Sequence, residues 1–327
     1  MLSTIASFVT AAIIQSIPLL YGATGEIITE KSGNLNLGIP GIMYVGRISG
    51  IIGGYLYERS VADPNAFLCV MIPLLATLVG SGLMALIYSF LTITLRANQN
   101  VTGLALTTFG IGVGNFFGGS LLKLCGERGS ISLLTTGNYY RATLPFADDL
   151  GLFGTTFLSF GFLTYLAIAV AIAASIFLHR TRTGLNLRAV GENPATADAA
   201  GINVTKYKYL ATVIGGAISG LGGLYFVMDY TAGAWTNNGF GDRGWLAIAI
   251  VIFALWKPSS AILSSFLFGG LYIICVYIPG LSGATKELIK MLPYLVTIIV
   301  LVFTSARKKR EHQPPAHLGM SYFREDR

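Results

Sequence analysis

Apolar runs of about bilayer-crossing length alternate along the chain with short polar or glycine-rich breaks. The runs fall at residues 3–23, 38–57, 66–95, 98–118, 156–178, 207–229, 244–256, 259–278 and 291–304. A transmembrane helix takes about 20 predominantly apolar residues. The pattern therefore predicts about nine spanning helices, with eight to ten the range allowed by runs of unequal length. The third is long enough to tilt or to break at Gly80-Ser81-Gly82, and the seventh and ninth are short. Residues 1–20 lack a basic flank and a small-residue cleavage site, so they read as a retained span.

Two of the breaks are rich in Gly and Asn: "EKSGNLNLGIPG" at 30–41 and "NNGFGDRGW" at 237–245. Each follows a full apolar run and precedes another. Runs one to four then match runs six to nine with opposite polarity, the fifth linking them. Gly-interrupted apolar segments at corresponding places in two halves are the layout of a transport site. The predicted fold is thus an all-α polytopic membrane protein of two inverted pseudo-repeats with broken helices. Small residues recur every fourth position at Gly46, Gly50 and Gly54, at Gly110, Gly114 and Gly118, and at Gly215, Ser219 and Gly223. Such stripes let helices approach closely in lipid.

One polar stretch, "GENPATADAAGIN" at 191–203, belongs to neither neighbouring run. Asn193 is a good N-cap, Pro194 suits the first helical position, and Gly201 suits the C′ stop. A helix of about two turns follows, "PATADAA", whose small side chains have little to bury. Glu192 and Asp198 offer contacts to a partner, and a short helix with an Ala face suits insertion into a groove.

Composition narrows the class. The 327 residues are 53% hydrophobic and 11% charged, against about 25% charged in soluble domains. Most of the surface faces lipid, and no soluble domain is appended: a transmembrane domain spans 1–304 and a basic tail 305–327. Fourteen of the 22 Lys and Arg lie on the side holding Lys31, Arg96, Lys257, the 179–208 loop region and the tail, seven lie opposite, and Arg47 falls inside a run. Acids split 7 to 8. The positive-inside rule places the 191–203 segment and the C-terminus in the cytoplasm and the 119–155 loop outside. The net charge of +7 is read as a topology signal, with no nucleic-acid partner.

Candidate chemistry is sparse. No phosphate-cradling G-x-x-x-x-G-K-[ST] loop occurs, and no His/Asp/Glu chain runs through the spans as a proton relay would. His179 ends a span, and His312 and His317 lie in the tail. Cys69, Cys125 and Cys275 fit no metal or redox spacing. No catalytic or metal site and no cofactor are expected. Arg47 is either functional or close enough to an end to snorkel.

The stretches "GATGEIITEKSGNLNLGIPGIM", "LRANQNVTGLAL", "TRTGLNLRAVGENPATADAAGINVTKYKYLA" and "GDRGWLAIAIVIFALWKP" lie in order from Gly22 to Pro258. They resemble the permease subunits of ATP-binding cassette importers for nucleosides and simple sugars. The resemblance implies a separate ATPase, carrying ATP and Mg, whose groove receives a coupling helix at 192–201 (Glu192, Asn193, Pro194, Ala195, Thr196, Asp198, Ala199, Gly201). It also implies an extracytoplasmic binding protein and a second permease subunit, identical or homologous, in the inner or plasma membrane. Pro40 stands where an acidic residue is expected and Arg47 where an apolar one is. "EKSGNLNLG" is closest to the nucleoside branch; a simple sugar such as ribose is the alternative cargo.

For a nucleoside, aromatic faces would stack the base and amides would meet the hydroxyls. Asn34, Asn36 and Asn238 are the candidate amides, and Phe240 and Trp245 the candidate walls. Trp235 reads rather as part of an interfacial aromatic belt. The competing classes are an intramembrane enzyme using Arg47, Asp229 or Asp242, and a stand-alone ion-coupled carrier.

Overall fold

The computed structural model describes residues 2–126, 130–278, 280, 282–307 and 313–323. Every predicted run becomes a helix. In chain order these are α1 (Leu2–Glu30), α2 (Ile39–Ser60), α3 (Ala66–Ser89), α4 (Gln99–Leu124), α5 (Leu134–Tyr140), α6 (Gly151–Phe157) and α7 (Phe162–Arg180). There follow α8 (Arg182–Glu192), α9 (Pro194–Ala199), α10 (Val204–Tyr225), α11 (Arg243–Phe253), α12 (Pro258–Tyr277), α13 (Gly283–Lys290) and α14 (Leu292–Arg307). Among the described residues six helices are long and apolar enough to cross a membrane: α1, α3, α4, α7, α10 and α12. The second run, α2, has the length but carries Arg47, Glu58 and Arg59. With 11 residues, α11 rises only about 16 Å, roughly half the hydrocarbon core.

Two expectations are corrected. α3 runs unbroken through Gly80-Ser81-Gly82 because Gly80 packs on Ser49 of α2 rather than marking a gap. Its irregularity comes later, as a π turn at Phe90–Thr94, matched by one at Phe226–Tyr230 beyond α10. The first span also runs on past residue 23, so Glu26 (0% exposed) and Glu30 (3%) are buried acids inside it; Arg47 is not the only ionisable group within a span.

The packing obeys the inverted layout. α1 lies along α10 at the centre; α10 also packs on α2 and α3, as α1 packs on α11 and α12. α2 meets α3 and α4, as α11 meets α12 and α14. Exchanging α1 with α10, α2 with α11, α3 with α12 and α4 with α14 regenerates these pairs. The outer faces stay apolar and exposed, as at Phe67, Val79, Phe109, Leu263 and Val276, which is what lipid contact requires.

The small-residue stripes are interface: Gly46 faces Gly220, Gly110 faces Gly41 and Gly215 faces Gly25. A Cβ on Gly223 would strike the Met43 carbonyl oxygen and lie 3.0 Å from the Arg47 amide nitrogen. Backbone cannot yield as a side chain can, and overpacking costs about 1–3 kcal/mol or more. Gly223→Val is therefore expected to lose most of its monodisperse fraction on size exclusion in mild detergent. Gly112→Ala, with nothing within 4 Å, should elute as the parent does.

Candidate functional site

After α1 and after α10 the chain turns back, and both α2 and α11 begin inside the bundle. Their first turns meet: a Cβ on Gly244 would lie 2.5 Å from the Pro40 Cα. Pro40 occupies the first turn, where its missing N–H is no loss, and its ring is the surface on which α11 rests. Neither helix start has a side-chain cap. Two positive dipole ends thus converge on one buried place.

Two guanidinium groups stand beside this junction. Arg47 is fully buried, and its Nη2 donates to the Thr236 carbonyl at 3.1 Å and to Thr236 Oγ1 at 3.3 Å. Its Nε and Nη1 have no hydrogen-bond partner. The group lies 4.1 Å from the Trp235 ring centroid, 5.0 Å from Phe226 and 5.7 Å from Tyr44. Arg243, 6% exposed, donates from Nε to Gln15 Oε1 at 3.1 Å and from Nη1 to the Phe240 carbonyl at 2.8 Å. It too stands over Phe226, at 4.6 Å. Edge contacts join Tyr44 to Trp235 and to Phe240, and Phe226 to Phe240. Among the described residues no carboxylate pairs with either arginine. A desolvated cation–π contact returns about 2 kcal/mol, whereas burying an ion costs several kcal/mol. The cluster is short of an acceptor.

The predicted pathway residues divide. Asn238 and Phe240 join the cluster: the Asn238 amide N–H donates to Asn115 Oδ1 at 3.2 Å, and Asn115 Nδ2 donates to Asn238 Oδ1 at 2.8 Å. Trp235, read from sequence as a belt residue, is 6% exposed. Its amide is bonded to the Ile131 carbonyl and its indole N–H to Asn237 Oδ1, and Gly114 and Gly118 leave room for the ring. Trp245 is half-buried and joins no ring contact of the cluster. Asn34 and Asn36 bond elsewhere. Asn36 takes Glu26 Oε1 on its amide N–H and caps the Gly38 N–H with Oδ1, and Asn34 Nδ2 donates to Thr212. Orphaned polar atoms gather here: Glu26 Oε2, Asn34 Oδ1 and Asn36 Nδ2. Glu30 accepts from the Trp256 indole. Sequence reading missed Arg243, Tyr44 and Glu26; an arginine opening a short apolar run was the available signal.

The third element is α9. Asn193 Oδ1 accepts the Thr196 N–H at 3.0 Å, Pro194 is its first residue, and Gly201 stops it at φ +83°. Pro194 and Ala197 are buried, Ala197 packing with Val190 and Val204, and Ala195 is half-buried. Asn193, Thr196 and Ala199 face outward. Glu192 and Asp198 are engaged within the chain, by the tail. Residues 313–323 fold back as a strap, with His317 N–H on the Gly191 carbonyl (3.0 Å) and Gly319 N–H on the Gly33 carbonyl (3.2 Å). Ala316 N–H reaches Glu192 Oε2 at 3.4 Å and Tyr322 OH reaches Asp198 Oδ2 at 2.9 Å. Burial and the neighbouring Lys208 ammonium hold the His317 imidazole below its usual range. The tail's other basic residues (Lys308, Lys309, Arg310, Arg324, Arg327) lie outside the described residues.

A helical bundle with two discontinuous crossings meeting head to head defines a polytopic membrane transporter. Residues 8–301 match the family described as "Branched-chain amino acid transport system / permease component", and the chain belongs to that family. It is similar to a nucleoside ABC transporter permease protein of Lactococcus lactis subsp. cremoris, 31% identical over 91% of this chain and 92% of the relative. A putative glucose ABC transporter permease protein of Haloferax volcanii is 31% identical over 99% of both chains. A guanosine ABC transporter permease protein of Bacillus subtilis is 29% identical over 90% of both. No solved structure gives a significant match. The chain is thus a multi-pass membrane protein and an ABC transporter permease, of a family of permease components rather than enzymes.

Proposed function

We propose that this chain forms the translocation path of an importer for nucleosides, the α2–α11 junction being where cargo is recognised. The observation that carries the reading is the pair of buried arginines, without a carboxylate ion-pair partner among the described residues, set among aromatic rings where two helix starts converge. A nucleobase supplies what that place lacks: ring nitrogens and carbonyl oxygens that accept hydrogen bonds, on a flat face that stacks. The nucleoside and guanosine permeases among the relatives support this choice. The glucose permease keeps a sugar as the competing cargo.

Energy comes from a partner. α9, with Asn193, Thr196 and Ala199 outward, docks in a groove of a cytoplasmic ATP-binding subunit that carries ATP and Mg. A binding protein delivers cargo on the opposite face, and a second permease subunit completes the path. On this reading α9, the strap and the C-terminus are cytoplasmic, the side the excess of Lys and Arg indicates. Purification of the chain from its native membrane should bring down an ATPase and a lipid-anchored binding protein. Recovery of the chain alone, with ion-dependent uptake, would instead make it a stand-alone carrier.

A further inference from the structure

At the α9 end a polar cavity of about 770 Å3 lies between the start of α10, the turn after α9, the π turn following α3, and the strap. Asn34, one of the pathway amides expected from sequence, lines it, whereas no residue of the α2–α11 arginine and aromatic cluster does. Among the described residues its charge is one-sided: Arg96, Lys206 and Lys208 line it with one carboxylate, Asp198, which accepts from Tyr322. Lys208 is decisive. It is only 4% exposed, and its ammonium has no hydrogen bond or ion pair among the described residues. Lysine is almost never buried unpaired, and an uncompensated ammonium costs several kcal/mol.

A second feature points at the same space. Asn203, Val204, Thr205 and Lys206, the cap and first turn of a 22-residue helix, form one wall. Asn203 satisfies the Lys206 N–H, and the N–H groups of Val204 and Thr205, at the positive end of the helix, have no intrahelical acceptor in residues that line the cavity. Helix start, buried lysine and flanking lysine make the donor set that holds a phosphate group. The cavity is also of small-molecule size, within roughly 300–1,000 Å3.

We propose that this cavity is a phosphate-binding site, with Lys208 as its buried contact and Lys206 and the first turn of α10 completing it. The phosphate belongs either to a free nucleotide or to an anionic lipid headgroup; Leu95, next in sequence to the lining residue Arg96, is an exposed apolar side chain. Through Asp198 and Gly201 on one side and Ser321 and Tyr322 on the other an occupant touches α9, the turn after it and the strap, so its presence is felt where the ATPase is proposed to dock.

The test uses the full chain in neutral detergent, with inorganic phosphate, adenosine monophosphate and phosphatidylglycerol as probes and phosphatidylcholine as control, read by native mass spectrometry and thermal shift. The wild type is expected to bind a phosphate-bearing probe in preference to phosphatidylcholine. Lys208→Gln should lose that binding by tenfold or more, Lys206→Gln by a few-fold, and Lys208→Arg should keep it. Because Lys206 is exposed, its substitution leaves folding intact even if Lys208→Gln fails to fold. Displacement of bound lipid by adenosine monophosphate assigns the site to a soluble ligand. Retention of phosphatidylglycerol against it assigns a headgroup. Equal binding by wild type and Lys206→Gln, or loss of ATPase association in Lys208→Gln with no phosphate-bearing probe bound by the wild type, overturns the proposal; in the latter case Lys208 contacts a partner protein.

Discussion

Ala199→Arg should abolish coupling while leaving the chain folded. Ala199 sits on the outward face of α9, and arginine is a good helix former, so neither the Asn193 cap nor the Gly201 stop is disturbed. A long cation driven into an apolar groove costs what a hot-spot residue is worth, about 2 kcal/mol or more, which is roughly thirtyfold in association. Substrate-stimulated ATP hydrolysis should fall to its basal level and uptake should fall with it, while elution and melting temperature match wild type. The inward neighbour is the contrast. Ala197 is 3% exposed against Val190 and Val204, so Ala197→Arg should fail by misfolding. Undiminished uptake by Ala199→Arg would remove α9 from the coupling interface.

Arg47→Met should separate stability from transport in the opposite sense. The side chain is fully buried, with Nε and Nη1 unpartnered and no ion pair among the described residues. Replacement of a buried charge by an apolar group of similar size is often neutral or stabilising, by about 1–4 kcal/mol. The melting temperature should therefore hold or rise, less the small loss of the Thr236 bonds. Uptake should drop tenfold or more, because the donor fork facing the junction is gone. Arg47→Lys keeps the charge but not the planar fork and should recover little. A destabilised variant with normal uptake would make Arg47 a structural strut, and the recognition site would lie elsewhere.

How much of this was legible in the sequence depends on the range of the cause. α9 was readable nearly to the residue, since Asn193, Pro194 and Gly201 act on their own turn. The inverted layout was readable from the two Gly/Asn breaks. That α2 and α11 would meet start to start was not, because the Pro40–Gly244 contact is a matter of packing. Glu26 and Glu30 escaped because α1 carries its polar residues into the bundle, where burial rather than periodicity extends the span. Trp235 was read as a belt residue, but a backbone bond to Ile131 and the space beside Gly114 and Gly118 draw it inside. The strap escaped too. Its hold on Gly191 and Gly33 is through backbone N–H groups, which no residue pattern announces.

The central claim is that a separate ATPase drives a nucleoside through this permease. Its most direct test is uptake of labelled adenosine into proteoliposomes holding the chain with its co-purified partners, with ATP supplied on the α9 side. The account predicts accumulation that requires ATP and the binding protein and is blocked by unlabelled guanosine but not by glucose. Accumulation of glucose in place of adenosine, or adenosine uptake indifferent to ATP, would contradict it.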